Sequence, residues 1–263
     1  MSLEIESYLQ LAIRLAREAG NYALAEQKKG LQITSKSNQF DLVTNVDKAN
    51  EEYIQSEIAK IFPTHEYLGE EGAATTTNSG VRWIVDPIDG TLNFAHGLPI
   101  WCVSIGVEVD GTIECGAIYD STRDEMFSAS RGGGAHLNGK QISVSKMSDP
   151  SRAMLVTGFA YNIADNEDKA IERFAAFLKR GLIVRRLGSA ALDLCYVASG
   201  RFDGFFEAGL SPWDSAAGSL LVREAGGVVT HYDGLDYSVY RKGIIATNGL
   251  QHELISEVLH SVK

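Results

Sequence analysis

The sequence has few cysteines, no basic cluster and no long apolar run. Its three cysteines, Cys102, Cys115 and Cys195, are odd in number and widely spaced, without a Cys-x-x-Cys pair. This pattern indicates buried, reduced thiols and neither a disulfide framework nor a zinc site. No apolar stretch approaches the ~20 residues that span a bilayer, and the N-terminal residues lack the pattern of a secretory signal. We therefore expect a cytoplasmic, soluble protein without a membrane partner.

The charge balance is acidic, with 34 Asp and Glu residues against 24 Lys and Arg residues and a net charge of −10. Direct nucleic-acid binding requires a basic stripe and is not expected here. A phosphorylated substrate remains compatible with this charge, because bound metal ions can reverse the local sign. The 263 residues, 44% of them hydrophobic, are enough for a large core.

Helical and extended patterns follow one another in a defined order along the chain. Apolar periodicity predicts a helix over 3–27 and a second one from about Thr44 or Asn45 to Pro63. Residues 73–80 read as an exposed loop and residues 81–144 as β-strands, and alternating strands and helices follow Pro150. Helices layered on two sheets, an α/β or α+β sandwich, are predicted.

Composition changes near residues 145–150, and this change predicts two halves. The N-terminal half, 1–146, has an α+β pattern, and the C-terminal half, 147–263, has an α/β pattern. No long linker separates them, so we expect the halves to pack tightly as one catalytic unit. Three consecutive glycines, 132–134, lie between predicted hairpins, where a turn or bulge is favoured over a phosphate loop.

An apolar run over 81–85 ends in Asp86-Pro87-Ile88-Asp89. Pro87 fixes its own φ and favours an extended Asp86, so we expect Asp86 to be the last residue of the strand. A turn then returns Asp89 to the same end and leaves the Ile88 carbonyl free as an oxygen ligand. Two carboxylates and a carbonyl suit Mg²⁺ or Mn²⁺ and not zinc.

The next residues, Gly90-Thr91, are predicted to begin a short helical turn. Backbone N–H groups at a helix start attract anions, and phosphate above all. The loop can therefore supply metal ligands and a phosphate cradle. Taken alone, it is equally compatible with an ordinary Asp-Pro turn.

Three other acidic positions help to decide between a metal-binding loop and an ordinary Asp-Pro turn. Glu70-Glu71 follow a sharp turn at Gly69, where they are either part of a solvated loop or a third carboxylate for a metal pair. Asp214 lies in the first turn of a predicted helix, where it can also simply stabilise the helix dipole. Asp47 either caps the second helix or orients a catalytic group.

Motifs spread along the chain resemble those of the inositol monophosphatase family. "GEEG", "WIVDPIDGTLNF" and "PWDSAAG" occur in this order and at the family's distances. The likeness extends over nearly the whole chain through "DLVTNVD", "RRLGSAALDLCYVASGRFDGFFEAGL" and "LVREAGGVVT". The sequences of these motifs are similar to those of the family's bacterial branch. The resemblance implies the layered α-β-α-β-α sandwich of metal-dependent, lithium-sensitive phosphatases.

The resemblance also implies a metal site. Glu70, Asp86 and the Ile88 carbonyl would hold one Mg²⁺. Asp86, Asp89 and Asp214 would hold a second, with Asp86 bridging the two ions. A third, weaker ion would lie near Glu70, and Mn²⁺ could replace Mg²⁺. Li⁺ is expected to inhibit.

Catalytic and substrate-binding roles are implied in the same way. Thr91 would pair with Glu70 to orient and deprotonate the attacking water, and Asp47 would position Thr91. Asp89 and Asp214 would also face the substrate, and the amides of Gly90 and Thr91 would hold its phosphate. The sugar-alcohol side would be formed by Arg186, Gly188, Ser189, Ala190 and Glu207. Lys36 matches a family lysine near the metals, and Ser189 replaces a frequent threonine.

The implied activity is Mg²⁺-dependent hydrolysis of myo-inositol 1-phosphate and related polyol or sugar monophosphates, by direct attack of water. The same loop, Asp86 to Thr91 (the metal loop), would also serve alternative substrates: fructose 1,6-bisphosphate, histidinol phosphate, NADP and 3′-phosphoadenosine phosphates. Glu207 favours a polyol substrate. The cations of Arg185-Arg186 keep a substrate with a second phosphate as an alternative. The family also implies a homodimer and, for some bacterial members, a regulatory role with RNA polymerase.

Overall fold

The computed structural model describes residues 2–36, 42–165 and 168–262. Seven helices lie within these residues: α1 (Leu3–Gln27), α2 (Asn45–Ile61), α3 (Thr91–Ala95), α4 (Ala170–Lys179), α5 (Ala190–Ala198), α6 (Pro212–Glu224) and α7 (His252–His260). Across these same residues, no helix has both the length and the apolar character needed to cross a membrane.

The described residues also form fifteen strands: β1 (Ile33–Ser35), β2 (Leu42–Thr44), β3 (Glu66–Gly69), β4 (Ala74–Thr75), β5 (Val81–Asp89), β6 (Cys102–Val109), β7 (Thr112–Asp120), β8 (Glu125–Ser130), β9 (Gly134–Leu137), β10 (Lys140–Gln141), β11 (Met154–Thr157), β12 (Ile183–Arg186), β13 (Gly204–Glu207), β14 (Val228–Thr230) and β15 (Ile244–Thr247). Eight of them form one sheet in the order β10-β9-β8-β7-β6-β5-β3-β4, five form a second in the order β12-β11-β13-β15-β14, and β1 pairs with β2. In the large sheet β3 and β5 are parallel, so their C-terminal ends meet at one edge.

The first two helices begin where the sequence supplies a cap. The Ser2 hydroxyl accepts a hydrogen bond from the Ile5 N–H at 3.2 Å, which satisfies one free donor at the start of α1. The small buried residues of α1 recur three or four positions apart, so its backbone approaches the large sheet closely. Thr44 and Asp47 form a capping box at the start of α2.

The packing of these elements forms five layers. Side chains of α1 and α2 pack with strands β5 to β7 on one face of the large sheet. Helices α5 and α6 lie between the two sheets, and α4 and α7 cover the outer face of the small sheet. The predicted layered α-β-α-β-α sandwich is confirmed, while the division at residues 146 and 147 stays a prediction.

Two expectations about local structure are wrong, and one is confirmed. The segment expected to be an exposed loop, 73–80, contains β4, because Ala74 and Thr75 pair with β3. Strand β5 continues past Asp86 to Asp89, since the chain there bulges and keeps pairing with β6. The three glycines form a turn, and the N–H groups of Gly132 and Gly134 each donate to the Glu224 carboxylate at 2.9 Å.

Candidate active site

A bulge at the end of β5 places two carboxylates on one side of the sheet. Asp86 pairs with Ser104 and Asp89 pairs with Cys102, so three steps along β5 match two steps along β6. In a regular strand, residues three apart point to opposite faces. The extra residue cancels this alternation, and Asp86 and Asp89 face the same way.

Asp214 completes a cluster with these two residues. One carboxylate oxygen from each of Asp86, Asp89 and Asp214 lies within 4.8 Å of the others. Asp214 is held in the first turn of α6, where its Oδ2 accepts the Ser211 N–H at 2.7 Å. Asp89 Oδ2 accepts the Ala191 N–H at 2.8 Å and the Ser189 hydroxyl. The structure thus brings together three of the predicted metal ligands.

The cluster holds more negative charge than its protein surroundings neutralise. Burial, and then the neighbouring carboxylates, raise the pKa values of Asp86 and Asp214 well above the usual range. The Lys and Arg ion pairs found in the described residues involve none of the three aspartates. Closely spaced oxygen ligands without a cation suit a divalent ion such as Mg²⁺, so the donor set fits the implied metal.

Glu70 reaches this cluster from the neighbouring strand. Gly69 of β3 lies opposite Val85 of β5, and the Glu70 N–H donates to the Val85 carbonyl at 3.2 Å. Lys36 Nζ lies 3.0 Å from Glu70 Oε1 and also pairs with Glu71. Burial raises the pKa of Glu70, and Lys36 opposes this rise. The predicted positions of both Glu70 and Lys36 beside the metal loop agree with this geometry.

Glu51 of α2 supports the Glu70 turn, and the sequence-based interpretation missed it. Its carboxylate accepts the N–H of Glu71 at 2.8 Å and that of Ala73 at 2.9 Å. A side chain at Gly69 would overlap this carboxylate. The signal was present, because Glu51 lies four residues after Asp47 and therefore on the same face of α2.

Asp47 performs both of the roles left open by the sequence. Its Oδ2 accepts the Thr44 N–H at 2.9 Å and so caps α2. Its Oδ1 accepts the Thr91 hydroxyl, 3.0 Å away. The Thr91 hydroxyl also lies 2.9 Å from the Ile88 carbonyl, which has a second lone pair available for another partner.

Gly90 begins α3 in a conformation that other residues rarely adopt. Its φ is 94°, and an added Cβ would lie 2.9 Å from the Ile100 carbonyl oxygen and 3.2 Å from that of Gly188. Asn93, a second residue missed from the sequence, donates its side-chain amide to the Ile100 and Leu187 carbonyls, both at 2.9 Å. These contacts hold the start of α3 against the turn that precedes α5.

A cleft of about 540 Å³ opens over the site. Of the residues predicted to bind metal or substrate, those that line it are Lys36, Glu70, Asp89, Gly90, Arg186, Gly188, Ser189, Ala190, Glu207 and Asp214. The other predicted site residues do not line the cleft and are buried behind its walls: Asp47, Asp86, Ile88 and Thr91. Other residues that line the cleft were not predicted from the sequence, namely 158–162, 193, 209–211 and 213.

Glu207 is a buried acid in this cleft. A side chain at Gly158 would overlap its carboxylate, so this glycine leaves room for it. Burial raises the pKa of Glu207 to about 8, against the opposing effect of Arg186. Glu207 and Arg186 are therefore electrostatic neighbours, as well as shared walls of the cleft.

Comparison with known proteins identifies the family. Residues 4–263 match the Inositol monophosphatase family, and the chain belongs to that family. It is 45% identical over 229 residues to Nus factor SuhB of Pasteurella multocida (strain Pm70), a match that covers 86% of this chain and 85% of that protein.

Solved structures support the same conclusion. An inositol monophosphatase from Anabaena (Nostoc) sp. PCC 7120 superposes with a TM-score of 0.86 and 38% identity, over 99% of this chain and 98% of that one. A structure described as IMPase/NADP phosphatase complexed with Mg²⁺ and phosphate has a TM-score of 0.84 and 25% identity, over 97% and 95% of the two chains. The predicted family and layered fold are confirmed.

Proposed function

We propose that this protein is a Mg²⁺-dependent phosphomonoesterase that hydrolyses myo-inositol 1-phosphate and related polyol or sugar monophosphates. The observation that carries the proposal is the cluster of Asp86, Asp89 and Asp214, with carboxylate oxygens within 4.8 Å of one another beside the cleft. Membership of the inositol monophosphatase family supports the same activity.

We assign the metal ligands as the resemblance implies. Glu70, Asp86 and the Ile88 carbonyl would hold one Mg²⁺, and Asp86, Asp89 and Asp214 would hold a second. Mn²⁺ is the expected substitute and Li⁺ the expected inhibitor. Bound Mg²⁺ would supply positive charge for the phosphate dianion and for the alcohol oxygen that leaves. The complex of a relative with Mg²⁺ and phosphate supports this assignment.

Side chains and backbone amides of the protein would orient the attacking water, accept its proton and hold the phosphate. Thr91 and Glu70 would orient the attacking water, with Glu70 accepting its proton, while Asp47 fixes the Thr91 hydroxyl from 3.0 Å. The N–H groups of Gly90 and Thr91 would donate to the phosphate at the start of α3. Water attacks phosphorus directly and the alcohol departs, so no phosphoenzyme is expected.

The Asp86→Asn variant tests the assignment. It removes one negative charge at the shared ligand with little change of shape, and we expect phosphate release from myo-inositol 1-phosphate with Mg²⁺ to fall at least ~100-fold. Asp110→Asn is the matched control, because Asp110 lies in an exposed turn at φ 48°, which asparagine also tolerates. Full Mg²⁺-dependent activity in Asp86→Asn would contradict the metal site.

A substrate screen tests which alcohol is esterified to the phosphate in the preferred substrate. Phosphate release is measured for myo-inositol 1-phosphate, fructose 1,6-bisphosphate, histidinol phosphate, NADP and 3′-phosphoadenosine phosphates, each with Mg²⁺ and with added LiCl. We expect the highest kcat/KM for the inositol phosphate and inhibition by Li⁺. A higher kcat/KM for a bisphosphate or a nucleotide would assign the protein to another branch of the superfamily.

A second, regulatory role is proposed alongside catalysis, because the chain is 45% identical to a protein named Nus factor SuhB. Such a role would involve association with RNA polymerase. It would not require the metal cluster, so the Asp86→Asn variant should keep partner binding in a pull-down while losing phosphatase activity. We also propose a cytoplasmic homodimer, as the family resemblance implies.

A further inference from the structure

Asn50 is a buried side chain of α2 that the proposed reaction does not use. It lies in the second turn of the helix and is 1% exposed. Its amide nitrogen, Nδ2, lies 3.2 Å from the Ala19 carbonyl oxygen of α1 and 3.4 Å from the Pro87 carbonyl oxygen of the metal loop. One side chain therefore connects two helices with the metal loop.

The two neighbours of this amide determine which way it points. Both are carbonyl oxygens, which accept hydrogen bonds and cannot donate them. The NH₂ group of an asparagine carries two N–H donors, so it can serve both carbonyls, whereas the Oδ1 end could serve neither. Asn50 therefore donates to Ala19 and to Pro87 at the same time.

The bulge of β5 depends on side chains for its hydrogen bonds. Pro87 and Ile88 have no partner of their own in the register with β6. The Ile88 N–H donates to Asp86 Oδ1 at 3.0 Å, and the Ile88 carbonyl accepts the Thr91 hydroxyl at 2.9 Å. The Pro87 carbonyl accepts the Asn50 amide. The first two contacts lie within the metal loop, whereas the contact of Pro87 attaches the bulge to a helix.

The helix on the other side of Asn50 is firmly placed. Ala19 is followed in α1 by Gly20, where an added side chain would overlap Ser121 and Tyr119 at the end of β7. The backbone of α1 therefore packs directly against the large sheet, and dense packing resists displacement. A donor held between two packed helices can keep the Pro87 carbonyl in one position.

We propose that Asn50 is a positioning residue of the metal loop, which holds the bulge in the conformation that binds Mg²⁺. This inference rests on the proposed phosphatase function and its metal site, and it adds a residue that controls the affinity of that site. A loop that has its binding conformation for only a fraction of the time binds more weakly by that fraction. Asn50 therefore affects Mg²⁺ binding more than the chemical step, because the loop has its binding conformation once the ions are bound.

The Asn50→Leu variant tests this role, because leucine keeps the branched shape and has no N–H donor. We expect the Mg²⁺ dissociation constant, measured by titration calorimetry, to rise about tenfold, which is about 1.4 kcal/mol and comparable to one buried hydrogen bond. At saturating Mg²⁺, kcat for myo-inositol 1-phosphate should stay within about threefold of the wild type. An unchanged dissociation constant, or a loss confined to kcat, would overturn the inference.

Asn50→Ala provides a second test, because it removes both donors without adding bulk to the core. Its Mg²⁺ dissociation constant should rise as that of Asn50→Leu does. Agreement between the two variants would assign the effect to the lost donors. A rise in Asn50→Leu alone would assign it to overpacking and overturn the proposal.

Ile54→Ala is the destabilising control on the same helix. Ile54 lies one turn after Asn50, is 0% exposed and packs in the core that α1 forms with the large sheet. Its melting temperature in EDTA should fall at least as far as that of Asn50→Leu, because the substitution leaves a cavity. Its Mg²⁺ dissociation constant should stay within about twofold of the wild type, since the bulge keeps its donor. An equal rise in both variants would indicate general loosening of α2 and overturn the specific role.

The same measurements distinguish this inference from the proposed function. A wild-type protein that binds Mg²⁺ but releases no phosphate from any monoester would overturn the phosphatase function and leave the role of Asn50 in Mg²⁺ binding intact. An active wild type, with both Asn50 variants equal to it in Mg²⁺ affinity, would overturn the role of Asn50 and leave the function intact.

Discussion

Thr91 shows how a single hydroxyl connects helix α2 with the metal loop. Its oxygen lies 3.0 Å from Asp47 and 2.9 Å from the Ile88 carbonyl. Asp47 is itself fixed by the backbone at the start of α2. The orientation of Thr91 therefore depends on a helix cap more than forty positions earlier in the chain.

The hydroxyl can be removed with little change in volume by Thr91→Val. We expect kcat for myo-inositol 1-phosphate to fall roughly 100-fold, because the attacking water loses a partner that orients it. Stability should decrease by about 1–3 kcal/mol, since Asp47 Oδ1 loses its partner. Steady-state kinetics and urea unfolding measure the two effects.

Thr91→Ser is the matched control, because it keeps the hydroxyl and removes a methyl group. Its kcat should stay within about tenfold of the wild type. A Thr91→Val variant as active as Thr91→Ser would show that the hydroxyl has no part in the reaction.

At the scale of elements, α2 supports two parts of the site from one face. Asp47 holds Thr91, and Glu51, one turn later, holds the turn that carries Glu70. The two residues proposed to orient water are thus both positioned by one helix. A shift of α2 would displace both of them together.

The Glu51→Gln variant tests this support. A glutamine side chain can accept one of the two N–H groups with its oxygen, but its NH₂ group cannot accept the other. We expect kcat/KM for myo-inositol 1-phosphate to fall roughly 10-fold as Glu70 loses its fixed position. Stability should decrease by about 1–3 kcal/mol.

Glu52→Gln provides the comparison, because Glu52 is the next residue of α2 and is exposed. Neither its activity nor its unfolding should change measurably. Equal behaviour of the two variants would show that the contacts of Glu51 do not position Glu70.

The elements differ in how far the sequence predicts them. Periodicity and capping residues predict α1 and α2 closely, because both signals are local. The end of β5 was misplaced at Asp86, since the bulge depends on pairing with β6. Acidic motifs predicted that Asp86, Asp89 and Asp214 lie together, whereas Glu51 and Asp193 were missed. The contacts of both residues join separate segments of the chain, and the one local signal is the position of Glu51 on the same face of α2 as Asp47.

For the whole molecule, the acidic cluster is a source of instability without metal. Burial and mutual repulsion raise the pKa values of Asp86 and Asp214, so the folded state without metal resists their ionisation. A cation that binds the folded state alone would offset this repulsion. Stability and metal binding should therefore be linked.

We expect Mg²⁺ at about 100 times its dissociation constant to stabilise the protein by about 2.7 kcal/mol. This corresponds to a rise of roughly 5–10 °C in melting temperature for a chain of this size. Calorimetric scans with Mg²⁺ and with EDTA measure the shift. Asp86→Asn should lose most of it, and an undiminished shift in that variant would place the stabilising Mg²⁺ elsewhere.

The close approach around Gly90 has a consequence for dissecting the chain. A Cβ added to Gly90 would lie 3.2 Å from the Gly188 carbonyl oxygen, so the two predicted halves approach each other closely there. Asn93 joins the same segments by hydrogen bonds. A fragment that ends before residue 147 would expose this contact and would lack Asp214. Function in separated fragments would therefore require that they reassociate and restore this contact.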